Sequence, residues 1–333
     1  MTRTLASVLL LASILYPSIS HGRESFDSLL AYQNENDSSR IGGPGTDKSY
    51  TNGFRWTYAF RSEPHPFLRQ IAEIEEDTNT SYHIGFSQKI FTPEDTFNSA
   101  PVEDDQPYAA WLYFSLGANF QSSNWMQSWD FSLGTIGPNA LGKTVQNSFH
   151  YLSGDPETRG WSNQLRDEPT FQLNYQLRHR VVLAGSPDRY YSDLIPYFGA
   201  GLGNVLIGLQ TGGFFRLGYQ MGEDLGPTRL STFGGDAYPI SKLIPTNSNF
   251  GIYAFAGVSA AAIGRNIFLD GNTFADSQSV DKLPFVYSWE RGLAFRAYRL
   301  HTSWRYISLS PEFRQRRRSQ DLVSLQFIYL WGG

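Results

Sequence analysis

Along much of the chain, apolar and polar residues alternate one for one. Phe171, Leu173, Tyr175 and Leu177 are interleaved with Gln172, Asn174, Gln176 and Arg178, a period of two that gives a strand one greasy and one wet face. Trp56, Tyr58 and Phe60 against Arg55, Thr57 and Ala59 follow the same rule, as do Tyr82, Ile84 and Phe86 against His83, Gly85 and Ser87. The last segment repeats it, with Val323, Leu325, Phe327, Tyr329 and Trp331 on one side. About twelve such segments occur, at 26–36, 50–61, 79–91, 107–121, 124–136, 168–184, 189–206, 212–222, 249–268, 285–297, 299–314 and 319–331. An even number of aromatic-rich strands of about ten residues predicts an all-β fold, a closed antiparallel transmembrane β-barrel of about 12 strands. Closure is required because lipid cannot satisfy the hydrogen bonds of an exposed strand edge. A secreted β-sandwich would alternate similarly, but it does not call for the aromatic load.

That load is heavy: 24 Phe, 19 Tyr and 8 Trp beside 31 Gly, with only 17% charged residues. The chain starts MTRTLASVLLLASILYPSISHG, with Arg3 ahead of an apolar run from Leu5 to Tyr16 and small residues at Ser18 and Ser20. This is the pattern of a secretory signal, expected over residues 1–20 and followed by a barrel domain over 21–333. No later apolar run approaches the ~20 residues of a membrane-spanning helix. The formal charge is -4, one unit more negative without Arg3, so nothing points to a nucleic-acid partner. The absence of cysteine excludes disulfide staples and thiol catalysis.

Strand parity gives each connection a side. With the N-terminus in the periplasm, odd strands run outward and even strands return, so connections 1–2, 3–4, 5–6, 7–8, 9–10 and 11–12 face the exterior. Residues 121–124 and 186–189 are short inner turns, whereas 62–78 and 223–248 are longer than the pattern predicts. The first is expected to hold a short helix with Phe67, Leu68, Ile71 and Ile74 on one face.

The stretch NENDSSRIGGPGTDKSYTNGF, from Asn34 to Phe54, then becomes an outer hairpin. Asn36 and Asp37 end strand 1 and Tyr50 and Thr51 begin strand 2, around a turn built on Gly42, Gly43, Pro44 and Gly45. As turn residues these need no further role. In the 5–6 connection, GTIGPNALGKTVQNSFHYLSGDP opens with Pro138 at a helix start and spaces Leu141, Val145 and Phe149 on one helical face. Lys143, Gln146, Asn147 and His150 lie largely on another. His150 falls near the helix C-terminus, where the dipole favours positive charge. One outer loop thus carries a short helix that can fold over the Asn36–Thr51 rim. A histidine that activates water, an aspartate that holds a cation and an Asn or Thr that orients or donates suit ester hydrolysis. No Gly-x-Ser-x-Gly elbow is present, which favours a base-activated water over an acyl-serine.

These residues resemble the outer-membrane lipid A 3′-O-deacylases of the LpxR type. The resemblance is carried, in order, by END (35–37), YTNGF (50–54), IFTPED (90–95), QPYAAWLY (106–113), LGTIGPNALGKTVQNSFH (133–150), GWSNQL (160–165) and FLDGNTFADS (268–277). It implies a twelve-stranded barrel and a calcium-dependent esterase that removes the 3′-linked acyloxyacyl chain of lipid A in the outer leaflet. His150 would be the general base, Asp37 the Ca2+ ligand, and Asn36 and Thr51 would complete the site. The implied partners are lipopolysaccharide and other outer-membrane lipids, with the chain acting as a monomer. The 3–4 loop lacks the Lys and Arg that family members can carry there, and Arg316, Arg317 and Arg318 in the 11–12 loop are the candidates for lipid A phosphates. Asp155 and Glu157 are both candidates for the family's second acidic residue, which follows the histidine in the chain. A phospholipase of similar mechanism and a non-catalytic channel or adhesion barrel are the competing readings.

Overall fold

The computed structural model describes residues 27–37, 47–71, 78–122, 124–186, 189–222, 224–230 and 250–332. The expected signal segment, the glycine-proline turn at 42–45 and most of the 223–248 connection lie outside them. The strands are β1 (Ser28–Asn36), β2 (Ser49–Arg61), β3 (Asn79–Thr92), β4 (Ala109–Gln121), β5 (Trp125–Ile136) and β6, which runs Glu168–His179 and resumes as Val181–Gly185. They continue as β7 (Tyr190–Gly203), β8 (Leu206–Tyr219), β9 (Phe250–Asn266), β10 (Phe285–Ala297), β11 (Leu300–Leu309) and β12 (Gln320–Trp331). Both parts of β6 pair with β7, so the wall has twelve strands. Each strand is antiparallel to its neighbours, and β1 closes on β12 from Ser28↔Trp331 to Asn36↔Val323. The barrel therefore has an upper rim, where β1 meets β2, and a lower rim, where β2 meets β3.

The alternation sorts the side chains as the period requires. Gln172, Asn174, Gln176 and Arg178 are buried in the lumen, while Phe171 and Leu173 on the same strand are exposed. The exposed belt also includes Trp56, Ile84, Phe114, Leu116 and Leu133. Aromatic pairs on the outward face mark the lower rim: Tyr58 with Trp331 at 5.7 Å, Tyr190 with Tyr219 at 5.1 Å and Phe250 with Phe295 at 5.2 Å. Such a girdle is what a membrane interface selects.

The lumen is packed with paired charge. Arg216 grips Asp193 with two bonds, Nε to Oδ1 at 2.9 Å and Nη2 to Oδ2 at 2.6 Å, and also holds Asp224. Asp224 opens a strap, 224–230, that runs inside the barrel: Arg178 donates to the Leu225 carbonyl at 2.9 Å, Gln33 to that of Thr228 at 3.3 Å, and the Leu230 amide to Glu35 at 3.0 Å. The second long lower connection thus begins by climbing the lumen from the lower ends of β7 and β8 toward the top of β1, where an ordinary turn would have stayed outside.

In the first long connection, α1 (Pro66–Ile71) forms, and Leu68 packs against Ala118 and Phe120; Ile74 lies outside the described residues. Two boundaries differ most from expectation: β11 ends at Leu309 rather than at 314, and the β7–β8 turn is shifted. The β7–β8 turn is Asn204 and Val205, not 207–211. Asn204 accepts from the Phe171 amide and donates to Glu168, each at 2.9 Å, which pins a turn inside a glycine-rich run whose alternation had read as continuous strand.

Candidate active site at the upper rim

Two loops and one strand irregularity build the site. In the β5–β6 connection a 3₁₀ turn at Pro138–Ala140 leads through Leu141, held at φ 60°, into α2 (Gly142–Ser153). A bulky residue in the left-handed region is costly and marks a sharp redirection of the chain. Gly142 then lies so close to Trp161 and Ala110 that any Cβ would collide with both. The helix sits against the outside of β3 and β4, where Ile90, Tyr108, Ala110, Ala140 and Trp161 form a cluster joined by Leu112 and Val145.

The buried side of α2 is Gly142, Gln146 and His150, and its apolar residues Phe149 and Leu152 are exposed. The helix expected from spacing is present, with its polarity reversed relative to a soluble protein. Gln146 accepts from Trp161 Nε1 at 2.9 Å. The amides of Gly154 and Asp155 both donate to the His150 carbonyl, at 2.8 and 2.9 Å, and Gly154 adopts the left-handed cap conformation.

His150 is only 6% exposed. Its Nδ1 lies 2.6 Å from the Pro156 carbonyl, which can only accept, so Nδ1 carries the proton. Nε2 is then the nitrogen with a free lone pair, and it faces Asp47 Oδ2 at 2.6 Å. Burial raises the Asp47 carboxyl above its ordinary value, while the His150 charge and hydrogen bonds from His150 and Gln146 pull it down only in part. A half-buried carboxylate this close to an imidazole nitrogen can orient the ring and support its charge.

Asp37 is held next to this pair. Its Oδ2 accepts from the Lys48 amide at 2.8 Å, and its own amide donates to the Thr51 carbonyl at 3.1 Å. Thr51 is the extra residue of a β-bulge, since Tyr50 pairs with Phe91 and Asn52 with Ile90. The bulge breaks alternation, so that Ser49, Tyr50 and Thr51 are all buried, and Thr51 Oγ1 meets Thr92 Oγ1 at 2.7 Å. Asn36 closes β1 opposite Asn52. The rim thus gathers Asn36, Asp37 and Thr51 in one hairpin and ties His150 to the same hairpin through Asp47.

Neither Asp155 nor Glu157 is the acid on His150. Asp155 accepts from Ser153 and Glu157 from Asn147, at 2.6 and 3.2 Å. Asp47 takes that place, a residue the sequence reading passed over inside its glycine-rich turn. Its signal was position alone, as the other acid between Asp37 and Thr51. The arginine trio divides. Arg316 turns inward to Ser49 and to Gln320, the latter at 3.4 Å, whereas Arg317 and Arg318 are exposed. Burial lowers the Arg316 pKa, offset in part by Glu312, Asp105, Glu94 and Asp37. Gln320 stitches this loop to the hairpin by donating to the Lys48 and Tyr50 carbonyls at 2.6 and 2.9 Å.

The model of the outer membrane protein LpxR family matches residues 5–331. The chain belongs to the LpxR family. It is an outer-membrane β-barrel, and the resemblance read from its motifs holds over nearly its whole length. Among solved structures, LpxR from Salmonella typhimurium aligns over 91% of this chain and 100% of its own, with a TM-score of 0.70 at 20% identity. The β domain of the Bordetella autotransporter BrkA aligns over 92% and 99% at 9% identity and a TM-score of 0.42. The translocator domain of NalP from Neisseria meningitidis aligns over 98% and 97% at 10% identity and a TM-score of 0.42. No curated protein matches the chain in sequence.

Among the described residues no three His, Asp or Glu converge as a ready metal cluster. The oxygen donors that Asp37, and beside it Asn36 and Thr51, could offer would suit a hard cation better than a soft one.

Proposed function

We propose that this LpxR family member is a lipid A 3′-O-deacylase whose upper rim faces the cell exterior and whose general base is His150. The observation that supports it is the His150–Asp47 pair, with Nδ1 pinned by the Pro156 carbonyl, next to the Asn36–Asp37–Thr51 hairpin. A fixed Nδ1–H leaves Nε2 to take a proton from water, and general-base help of this kind is worth about 10²–10⁴-fold. The water oxygen attacks the ester carbonyl, Nε2 gains the proton, and the same proton passes to the departing alkoxide as the acid forms. Asp47 stabilises the imidazolium between these steps and must yield Nε2 to the water beforehand. Asp37 would hold a calcium ion, with Asn36 and Thr51 orienting groups around it. When bound, calcium would polarise the ester carbonyl and stabilise its developing charge. Arg316, which turns into the rim, is the stronger of the three arginine candidates for a lipid A phosphate.

A channel reading is disfavoured by the lumen, in which the strap from Asp224 to Leu230 bonds to Arg216, Arg178, Gln33 and Glu35. The decisive experiment is mass spectrometry of lipid A from cells that express the wild type or His150→Ala, with membranes assayed in the presence and absence of a calcium chelator. Loss of the 3′ acyloxyacyl mass with the wild type alone, abolished by chelation, is expected. Unchanged lipid A with released phospholipid acyl chains would shift the substrate to phospholipid, and no change in either would end the hydrolase reading.

A further inference from the structure

The helix that carries His150 is built the wrong way round for a water-exposed loop. At about 100° per residue, Gly142, Gln146 and His150 occupy one side of α2, while Val145, Phe149 and Leu152 fall in an adjoining sector about 60° wide. The first group is buried; Phe149 is 63% exposed and Leu152 81%. Large apolar side chains left open in a contiguous sector usually mark a surface that another apolar phase covers.

The position of α2 on the wall identifies that phase. Val145 packs on the same cluster as Leu112 of β4. Leu112 is one outward-facing step, about 7 Å, above Phe114, which is 62% exposed in the apolar belt. The next outward positions up the wall, Ala110 and Tyr108 on one segment and Ile90 on β3, are buried beneath α2 and Trp161. At the upper end of β10, by contrast, the wall keeps its own exposed aromatics, Phe285 and Tyr287. Over β3 and β4 the helix hides the wall and presents Phe149 and Leu152 in its place, so the belt continues onto the helix. Lys143, on the far side of α2 from this sector, is exposed, as a residue facing headgroups and water would be.

We propose that the Phe149–Leu152 edge of α2, outside the wall-packed Val145, is a membrane-contact element, seated in the hydrocarbon edge of the outer-membrane leaflet at the upper rim. The covering phase is lipid, continuous with that around Phe114. The buried side of the same helix holds His150, so the leaflet surface sets the height of the site's imidazole. This inference rests on the outer-membrane barrel and not on the deacylase reading.

The cysteine-free chain makes the test direct. Single-cysteine variants Phe149→Cys and Leu152→Cys carry an environment-sensitive fluorophore, with Phe114→Cys as the lipid reference and Glu103→Cys, on an exposed loop, as the aqueous one. Each is reconstituted in vesicles of phosphatidylcholine containing acyl-chain spin-labelled lipid, and folding is checked by heat-modifiable gel mobility. Quenching at both helix positions should match that at Phe114 within about twofold and exceed that at Glu103 several-fold. Quenching at Glu103 level at either helix position, with Phe114 quenched, would overturn the proposal.

Discussion

His83 and His150 each set Nε2 against an aspartate, at 3.0 Å from Asp130 in the lumen and 2.6 Å from Asp47 at the upper rim. Around Asp130 everything is settled. Arg55 donates to the same Oδ2 at 2.9 Å, Ser132 donates to Oδ1 at 2.9 Å, and the pair sits in the middle of the barrel wall. Around Asp47 the described residues supply no such surplus. Its carboxyl is balanced by one imidazole and a glutamine, in a loop rather than a strand, with burial holding its pKa up. The difference teaches how to separate architecture from chemistry in a polar barrel: a carboxylate with more positive charge than it needs is structural, and one whose charge is only marginally supported is available to react.

The largest effect should come from breaking the settled pair. Asp130→Ala leaves Arg55 and His83 without their shared partner, and losing one member of a buried ion pair costs about 3–5 kcal/mol. The barrel's unfolding midpoint in urea, followed by gel mobility, should fall accordingly, while Asp47→Ala should leave it near wild type. Equal losses would erase the distinction.

A second contrast concerns Asp47 in the folded protein. Because its folded pKa lies above the unfolded one, folding favours the protonated carboxyl. Rim stability is therefore greatest below the ordinary carboxylate value and declines as pH rises from that value through the raised one. Asp47→Asn, neutral throughout, should lack this decline. Limited proteolysis of the rim loops near pH 4 and pH 7 should show wild type less protected at the higher pH and the variant unchanged. Deacylation by the same variant should drop about 100-fold, within the range of general-base assistance. A variant that is both less protected at neutral pH and fully active would show that Asp47 is merely structural.

Legibility followed periodicity. Twelve strands, their order and the helix bearing His150 could be read because period two and period 3.6 leave marks in any window of ten residues. Asp47 sits among glycines with no period to place it, so its approach to His150 came only from the closing of two loops. The strap from Asp224 to Leu230 was unreadable for the same reason. The orientation of α2 was open for another reason: Val145 and Phe149 share a sector as their spacing predicts, but beside lipid an apolar sector need not turn inward. The β7–β8 turn was misplaced because Gly201, Gly203 and Gly208 blur where one strand stops, and Asn204 decides it through bonds to residues 33 to 36 positions away.

The smallest effect tests where the rim's own architecture ends. Thr51 and Thr92 share a hydrogen bond of 2.7 Å across the bulge, and Thr51→Val keeps the branched shape that the bulge packs while removing the hydroxyl. If that hydroxyl serves only Thr92, then Thr51→Val and Thr92→Val remove the same bond, cost about 1 kcal/mol each and slow deacylation equally and slightly. If the Thr51 hydroxyl also orients water or the ester, Thr51→Val should slow the reaction about tenfold more than Thr92→Val at the same loss of stability. Comparing the two rates at matched urea midpoints separates the cases. Equal rates would move Thr51 from the chemistry of the rim to its scaffold, alongside the pairs of the lumen.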